Sequence, residues 1–280
     1  MEGRSEVVGP GRVAVVTGAA SGIGFGLSQR FAAEGMRVVM ADVEGPALAE
    51  AADLLAGRGA EVLPVLTDVS SGEQVDALRD RALEAFGAVH VLCNNAGVTG
   101  LGRPMWEMSR RDWEWVLGVN LWGVINGVRA FVPVLMEQDA AHVVNTASLA
   151  GLTTGVLGPY SVTKHAVVAL SEGLHFQLAQ RGPAVGVSVL CPGWVRTRIG
   201  ESDRNRPADV EPGPDLDPQV AEGMRQLLAS GMEPLEVAGH VVDAIRGGRF
   251  YVLTHPEMSD GIRRRAEEVL AGGPPGTAFL

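Results

Sequence analysis

Along the chain, short runs of consecutive apolar residues alternate with longer stretches in which apolar positions recur every three or four residues. The short runs are RVAVVT (12–17), RVVMAD (37–42), EVLPVLTD (61–68), VHVLCN (89–94), HVVNTAS (142–148), AVGVSVLCP (184–192) and RFYVLTH (249–255). Several place apolar residues in unbroken succession, the pattern of strands buried on both faces of a parallel sheet. The intervening stretches predict helices over 22–34, 46–57, 71–86, 109–136 and 159–181. In the third of these, Val75, Leu78, Leu83 and Phe86 fall on roughly one face. Strand–helix–strand units of this length cross over right-handedly. The expected fold class is therefore α/β, a doubly wound parallel β-sheet with helices on both faces. No linker divides it. The domain is expected over 12–255, after an N-terminal tail (1–11) and before a C-terminal helix and tail (256–280).

Residues 198–218 break the rhythm. They carry Pro207, Pro212, Pro214 and Pro218 among nine charged residues. A long irregular segment in a compact domain is either a surface insertion or a functional loop. Its place directly after a strand end favours a loop or lid beside a ligand, expected over 198–233.

Composition narrows the class. With 46% apolar and 20% charged residues, the chain can bury a large core. Its 37 glycines follow no collagen-like triplet, so they serve turns and close backbone approaches. A net charge of −10 argues against nucleic acid or an anionic membrane as the main partner. Cys93 and Cys191 make neither a disulfide framework nor a metal-ligand spacing, and no metal is expected. No uninterrupted apolar run approaches ~18 residues. MEGRSEVVGPGR has no apolar leader segment. A cytoplasmic protein is expected.

Of 23 basic residues, only Lys164 is a lysine. It lies four positions after Tyr160, one of just two tyrosines. A chain that otherwise uses arginine has here a compact ammonium on a flexible stem.

The turn after the first strand reads TGAASGIG (17–24). Gly18, Gly22 and Gly24 keep side chains clear, so a pyrophosphate can approach the backbone around Ser21 and Ile23, at the N-terminus of the next helix. The spacing differs from the commonest dinucleotide fingerprint. Asp42, closing the second strand, suits the adenosine ribose hydroxyls and repels a 2′-phosphate; it is otherwise a turn aspartate. Val43 after it and Ser21 in the loop offer a phosphate no basic partner. Asp68-Val69 follows the third strand, and NNAG, with Asn94, Ala96 and Gly97, the fourth. These signals share the carboxyl edge of the sheet, where such folds bind ligands.

Ser148 closes the fifth strand, and Tyr160 and Lys164 are one helical turn apart. A neighbouring cation favours the phenolate and is expected to lower the tyrosine pKa from near 10. So tuned, the phenol exchanges a proton with an alcohol near neutral pH.

The set TGAASGIG, Asp42, Asp68-Val69, NNAG, Asn120, Ser148, YSVTK and PGWVRT resembles the short-chain dehydrogenase/reductase family, in order and spacing, from about Arg12 to Thr197. The resemblance implies a single Rossmann-type domain with a seven-stranded sheet and a bound nicotinamide dinucleotide, NAD rather than NADP given Asp42. It implies Tyr160 as general acid/base, Ser148 as the group that orients the substrate oxygen, and Lys164 as ligand of the nicotinamide ribose. It implies Asn120 as support for a proton-relay water. Pro192, Gly193, Val195 and Thr197 would then lie against the carboxamide. The match weakens after Thr197: relatives that tetramerise end in a glycine-rich strand, whereas this chain has RFYVLTHPE, an arginine- and glutamate-rich stretch and GGPPG. A homo-oligomer is expected, a dimer through the two long helices or a tetramer.

Two other classes share such a scaffold: a non-catalytic dinucleotide-binding regulator, and a lyase or dehalogenase. The retained Tyr160 and Lys164 argue against the first, and the intact glycine turn against the second. Pocket walls expected from Ala150, Leu152, Val156, Leu157, Trp194 and Leu101 are mostly apolar. They suit a medium-sized cyclic or aromatic alcohol or ketone, with Arg196 and Arg198 solvated or attracting an acid.

Overall fold

The structure is a computed structural model that describes residues 7–100, 104–154, 157–182, 184–208, 210 and 217–276. Seven strands form one sheet: β1 (Val13–Thr17), β2 (Arg37–Asp42), β3 (Val62–Leu66), β4 (Val91–Asn94), β5 (Ala141–Thr146), β6 (Val185–Cys191) and β7 (Tyr251–Leu253). Every pairing is parallel, and the spatial order is β3-β2-β1-β4-β5-β6-β7. Strand order reverses between β1 and β4, so the connections leave those two strands in opposite directions and open a crevice at their carboxyl ends.

Alternation along each strand feeds two cores. Ala14, Val16, Val38 and Met40 face a layer that holds Leu27 and Phe31 of α1 (Gly22–Ala33), Leu48 and Leu55 of α2 (Gly45–Ala56) and Val241 and Ile245 of a later helix. Val13, Val15, Val39 and Ala41 face Val75 and Leu78 of α3 (Gly72–Phe86), with Phe131, Leu135 and Leu174. Nearly all these side chains are fully buried, which explains why the strands read as unbroken apolar runs. β3 is the exception: it lies at the sheet edge, is only partly buried, and tolerates Pro64. Val7 and Val8, which the sequence places in a tail, are buried in the first core.

The stretch expected as one helix over 109–136 is α4 (Arg110–Leu117), a wider π turn (Gly118–Trp122) and α5 (Gly123–Leu135). A reciprocal cap between Ser109 and Asp112 starts it. Arg110–Leu135 is long and apolar enough to cross a membrane by length and composition alone, but 56% of its apolar window is buried inside the fold, as in a core helix. α6 (Pro159–Ala179) follows β5. After β6 come short 3₁₀ turns (Ile199–Asn205), α7 (Pro218–Ala229), α8 (Pro234–Gly247), β7 and α9 (Asp260–Ala271). Of the expected loop over 198–233, residue 209 and residues 211–216 lie outside the described residues.

Candidate active site

A cavity of about 670 Å³ runs along the carboxyl edge of the sheet, across the β1/β4 crevice. The glycine turn forms one end. Gly18 (φ +66°) and Gly22 (φ +54°) adopt backbone conformations that other residues rarely take. A Cβ on Gly18 would lie 2.9 Å from the Ala96 Cα, and one on Gly24 would overlap the Gly18 carbonyl oxygen. Gly18, Ser21, Gly22 and Ile23 line the cavity. Gly24 does not; it lies buried in α1, where its missing side chain lets the turn close on the helix. The result is a bare backbone cradle at a helix N-terminus, which fits a pyrophosphate.

Asp42, Val43, Asp68 and Val69 line the wall beyond the cradle. Both Asp42 oxygens accept backbone N–H bonds, from Ala20 (2.9 Å) and Glu44 (3.0 Å). These fix the carboxylate and leave it lone pairs for further donors. Arg37 points elsewhere, donating to the Gly11 carbonyl (2.8 Å).

Of the NNAG residues, Ala96 and Gly97 line the cavity, and Asn94, expected there, does not. Asn94 is the last residue of β4 and alternation turns it into the core, where it donates to Asn145 Oδ1 (2.9 Å) and fills the space left by Gly127. Asn95, unremarked in the sequence, lies at the crevice instead. It bonds the Thr17 hydroxyl and carbonyl (both 2.9 Å) and accepts from Thr146 (3.2 Å), tying together the ends of β1, β4 and β5.

Ser148, Tyr160 and Lys164 meet at one wall. Ser148 accepts from the Ala150 N–H (3.1 Å), and its hydroxyl is close enough to the Tyr160 phenol to favour the phenolate. Lys164 is buried, donates to the Thr146 carbonyl (2.9 Å), and holds its Nζ 5.5 Å from the Tyr160 ring centre. Burial lowers the lysine pKa to about 8. The Tyr160 pKa is raised, not lowered as expected. Protein packed around the phenol penalises the phenolate more than the nearby Ser148 hydroxyl favours it.

Asn120 sits in the π turn and is fully buried, outside the cavity wall. Its amide accepts from Val98 N–H (2.8 Å), donates to Val98 carbonyl (2.8 Å) and donates to Thr163 (3.1 Å). It therefore pins the strand-end loop after β4 to α6.

Pro192, Gly193, Trp194, Val195 and Thr197 also line the cavity, as do Ala150 and Leu157, and the Leu149 N–H donates to the Pro192 carbonyl (3.0 Å) beside Ser148. Gly193 donates to His255 Nδ1 (3.2 Å), and a Cβ there would press on His255 and Met258. Leu152 is not on the wall, and Leu101 and Val156 lie outside the described residues. Arg196 pairs with Glu233 and Arg198 with Glu201, so both already hold carboxylates of the chain. Sequence reading missed α7, whose Val220, Gly223, Met224 and Leu227 line the cavity. Their helical spacing, behind the Asp217-Pro218 cap, was the available signal. Among the described residues, no cluster of metal-ligating side chains is present.

Comparison with known proteins identifies the family. The short chain dehydrogenase family pattern matches residues 12–208. A 1-deoxy-11-beta-hydroxypentalenate dehydrogenase of Streptomyces exfoliatus is 40% identical over 261 residues, covering 92% of this chain and 88% of the relative. A CLA biosynthesis dehydrogenase/reductase of Lactiplantibacillus plantarum is 32% identical over 272 residues, covering 94% and 95%. A short-chain dehydrogenase/reductase from Burkholderia phymatum, solved in complex with NAD, superposes with a TM-score of 0.92 at 44% identity, covering 96% of this chain and 98% of that one. The chain belongs to the short-chain dehydrogenase/reductase family of oxidoreductases.

Proposed function

We propose that the protein is an NAD-dependent dehydrogenase/reductase that interconverts a secondary alcohol and its ketone. One observation carries this reading: Ser148, Tyr160 and Lys164 share a wall of the same cavity whose far end is the glycine cradle. The nicotinamide, when bound, supplies the hydride donor or acceptor and, oxidised, a positive charge beside the phenol. Tyr160 exchanges the proton of the substrate oxygen, and Ser148 holds that oxygen in line. Lys164, fixed by the Thr146 carbonyl, has donors left for the nicotinamide ribose. A positive charge on the oxidised nicotinamide would oppose the burial that raises the Tyr160 pKa. Asn120 acts by positioning Val98 and α6. Pro192, Gly193, Val195 and Thr197, which line the cavity, would hold the carboxamide.

The substrate end supports a medium-sized, largely apolar cyclic or aromatic alcohol or ketone. Its walls are Ala150, Leu157 and Trp194 together with the apolar stripe of α7. The similarity to a dehydrogenase named for a hydroxypentalenate agrees with such a substrate class.

The test is Tyr160→Phe, assayed by absorbance of the reduced cofactor with a panel of cyclic and aromatic secondary alcohols. Removing one oxygen should cost about 10²–10⁴-fold in turnover while cofactor binding persists. Turnover within a few-fold of the unaltered protein would remove Tyr160 from the chemistry.

A further inference from the structure

Residues 199–206 cross the mouth of the cavity and are fastened on both sides of it. On one side, Arg206 donates to Asp112 Oδ1 (2.5 Å) and to Asp203 (2.8 Å), and its guanidinium stacks 4.5 Å over Trp115. The Arg206 and Asp112 side chains are only 5% and 6% exposed. Close by, the Thr99 N–H donates to the Ser202 hydroxyl (3.2 Å). On the other side, Arg204 meets Glu44, two residues beyond Asp42. Its Nη2 and Nε lie 2.7 and 3.0 Å from Glu44 Oε1, and Asn205 donates to the same oxygen (2.9 Å). The remaining Arg204 nitrogen donates to the carbonyls of Arg198 (3.1 Å) and Glu201 (3.0 Å), so the guanidinium is held in one orientation by its own turn. This second attachment is the more exposed, at 25% and 23%. Asp42, Glu44, Ser202, Arg204 and Asn205 all line the one cavity.

We propose that residues 199–206 form a strap over the cofactor cleft, hinged at the buried Arg206–Asp112–Trp115 contact and latched by Arg204 and Asn205 on Glu44, and that opening of this latch governs how fast the dinucleotide leaves. The inference rests on the dinucleotide reading above. A molecule reaching from the glycine cradle to Ser148 would share the cavity that Ile199, Ser202, Arg204 and Asn205 of this strap line. The two attachments differ in what it takes to break them. Parting Arg206 from Asp112 separates two charges in a nearly dry site and leaves Asp112 with only the Ser109 donors, which is costly even though Arg206 keeps Asp203. Parting Arg204 from Glu44 returns both groups to water at modest cost. The Glu44 side therefore opens first. The latch also occupies an arginine at the Asp42 end of the cleft, and so withholds it from a 2′-phosphate.

The experiment compares Glu44→Gln, Arg204→Gln and the double variant. Release of bound NADH is followed by its fluorescence after rapid mixing with excess NAD, and amide hydrogen exchange of 199–206 is measured in the cofactor-free proteins. Each single variant should speed release by about fivefold, the scale of a partly exposed ion pair. The double variant should be no faster than the faster single, because both singles remove the same Arg204–Glu44 ion pair. Exchange over 199–206 should rise in all three while the sheet amides stay protected. An unchanged release rate with NADH still bound would overturn the latch and leave the dinucleotide reading standing, as would a double variant whose effect is the product of the singles. Failure of the unaltered protein to bind NADH would bring down the dinucleotide reading, and the latch with it.

Discussion

Asp42 shows how much a single residue's role depends on its neighbours' backbone. Its oxygens are fixed by the N–H groups of Ala20 and Glu44, so the carboxylate does not swing away when a ligand arrives. Ribose hydroxyls can donate to it. A 2′-phosphate there would meet like charge in a partly dry site, a penalty on the order of one to a few kcal/mol. NAD should accordingly be preferred over NADP by at least about tenfold in kcat/KM. Asp42→Ala should narrow that ratio, chiefly through better use of NADP. Steady-state kinetics with both cofactors check this. Equal use of both by the unaltered protein, or no relative gain for NADP in the variant, would defeat the assignment. Lys164 makes the same point at the other end of the cleft. Spacing brought it near Tyr160, but the burial of both groups sets the direction of their pKa shifts.

Elements carry the geometry that residues need. α6 presents Tyr160 and Lys164 one turn apart, and β5 delivers Thr146 and Ser148 to meet them. The π turn inserts one extra residue's width into the long α4–α5 helix and aims Asn120 inward, a common use of such turns. The glycine turn joins β1 to α1 so closely that the cradle and the helix start are one unit. Gly24→Ala tests that closeness. The added methyl would overlap the Gly18 carbonyl oxygen, so the turn itself must shift. We expect about 1–3 kcal/mol lower stability by urea unfolding, the usual cost of overpacking, together with much weaker NAD binding by titration. Normal NAD binding by this variant would show that the cradle tolerates movement.

For the whole molecule, the reversal of strand order at β1 and β4 makes the crevice, and Gly18, Asp42, Asp68, Ala96 and Gly97 reach it from strand ends or the turns after them, while Tyr160 and Lys164 reach it from α6. The outer surface carries a second message. On α6, Val162, Ala169, Gly173 and Phe176 fall along one exposed stripe, and Phe176 is 66% exposed. Trp122, at the start of α5, is half exposed. Such a stripe on one of the two long helices fits association of two copies through α5 and α6. Phe176→Asp should therefore lower the mass measured by analytical ultracentrifugation at micromolar concentration. An unchanged mass in a folded variant would place any association elsewhere.

The sequence alone determined the strands, the main helices and most of the motifs that line the cavity. A strand buried on both faces must be apolar throughout, and a bare turn before a helix must be glycine-rich, so both are written locally. Tyr160 and Lys164, one helical turn apart, and the glycines of the turn are legible because their patterns are local, and Asp42 because it closes a strand. What the sequence misassigned depended on which way a side chain turns. Asn94 and Asn95 are adjacent and chemically identical, and only the pleat of β4 sends the first into the core and leaves the second at the crevice. The tertiary structure alone brought Arg204 to Glu44 and Arg206 to Asp112, pairs separated by 160 and 94 positions. No local pattern encodes such contacts, because they form only when the chain has crossed the sheet and returned. The tyrosine's raised pKa was decided in the same way, by protein density that distant segments pack around its phenol.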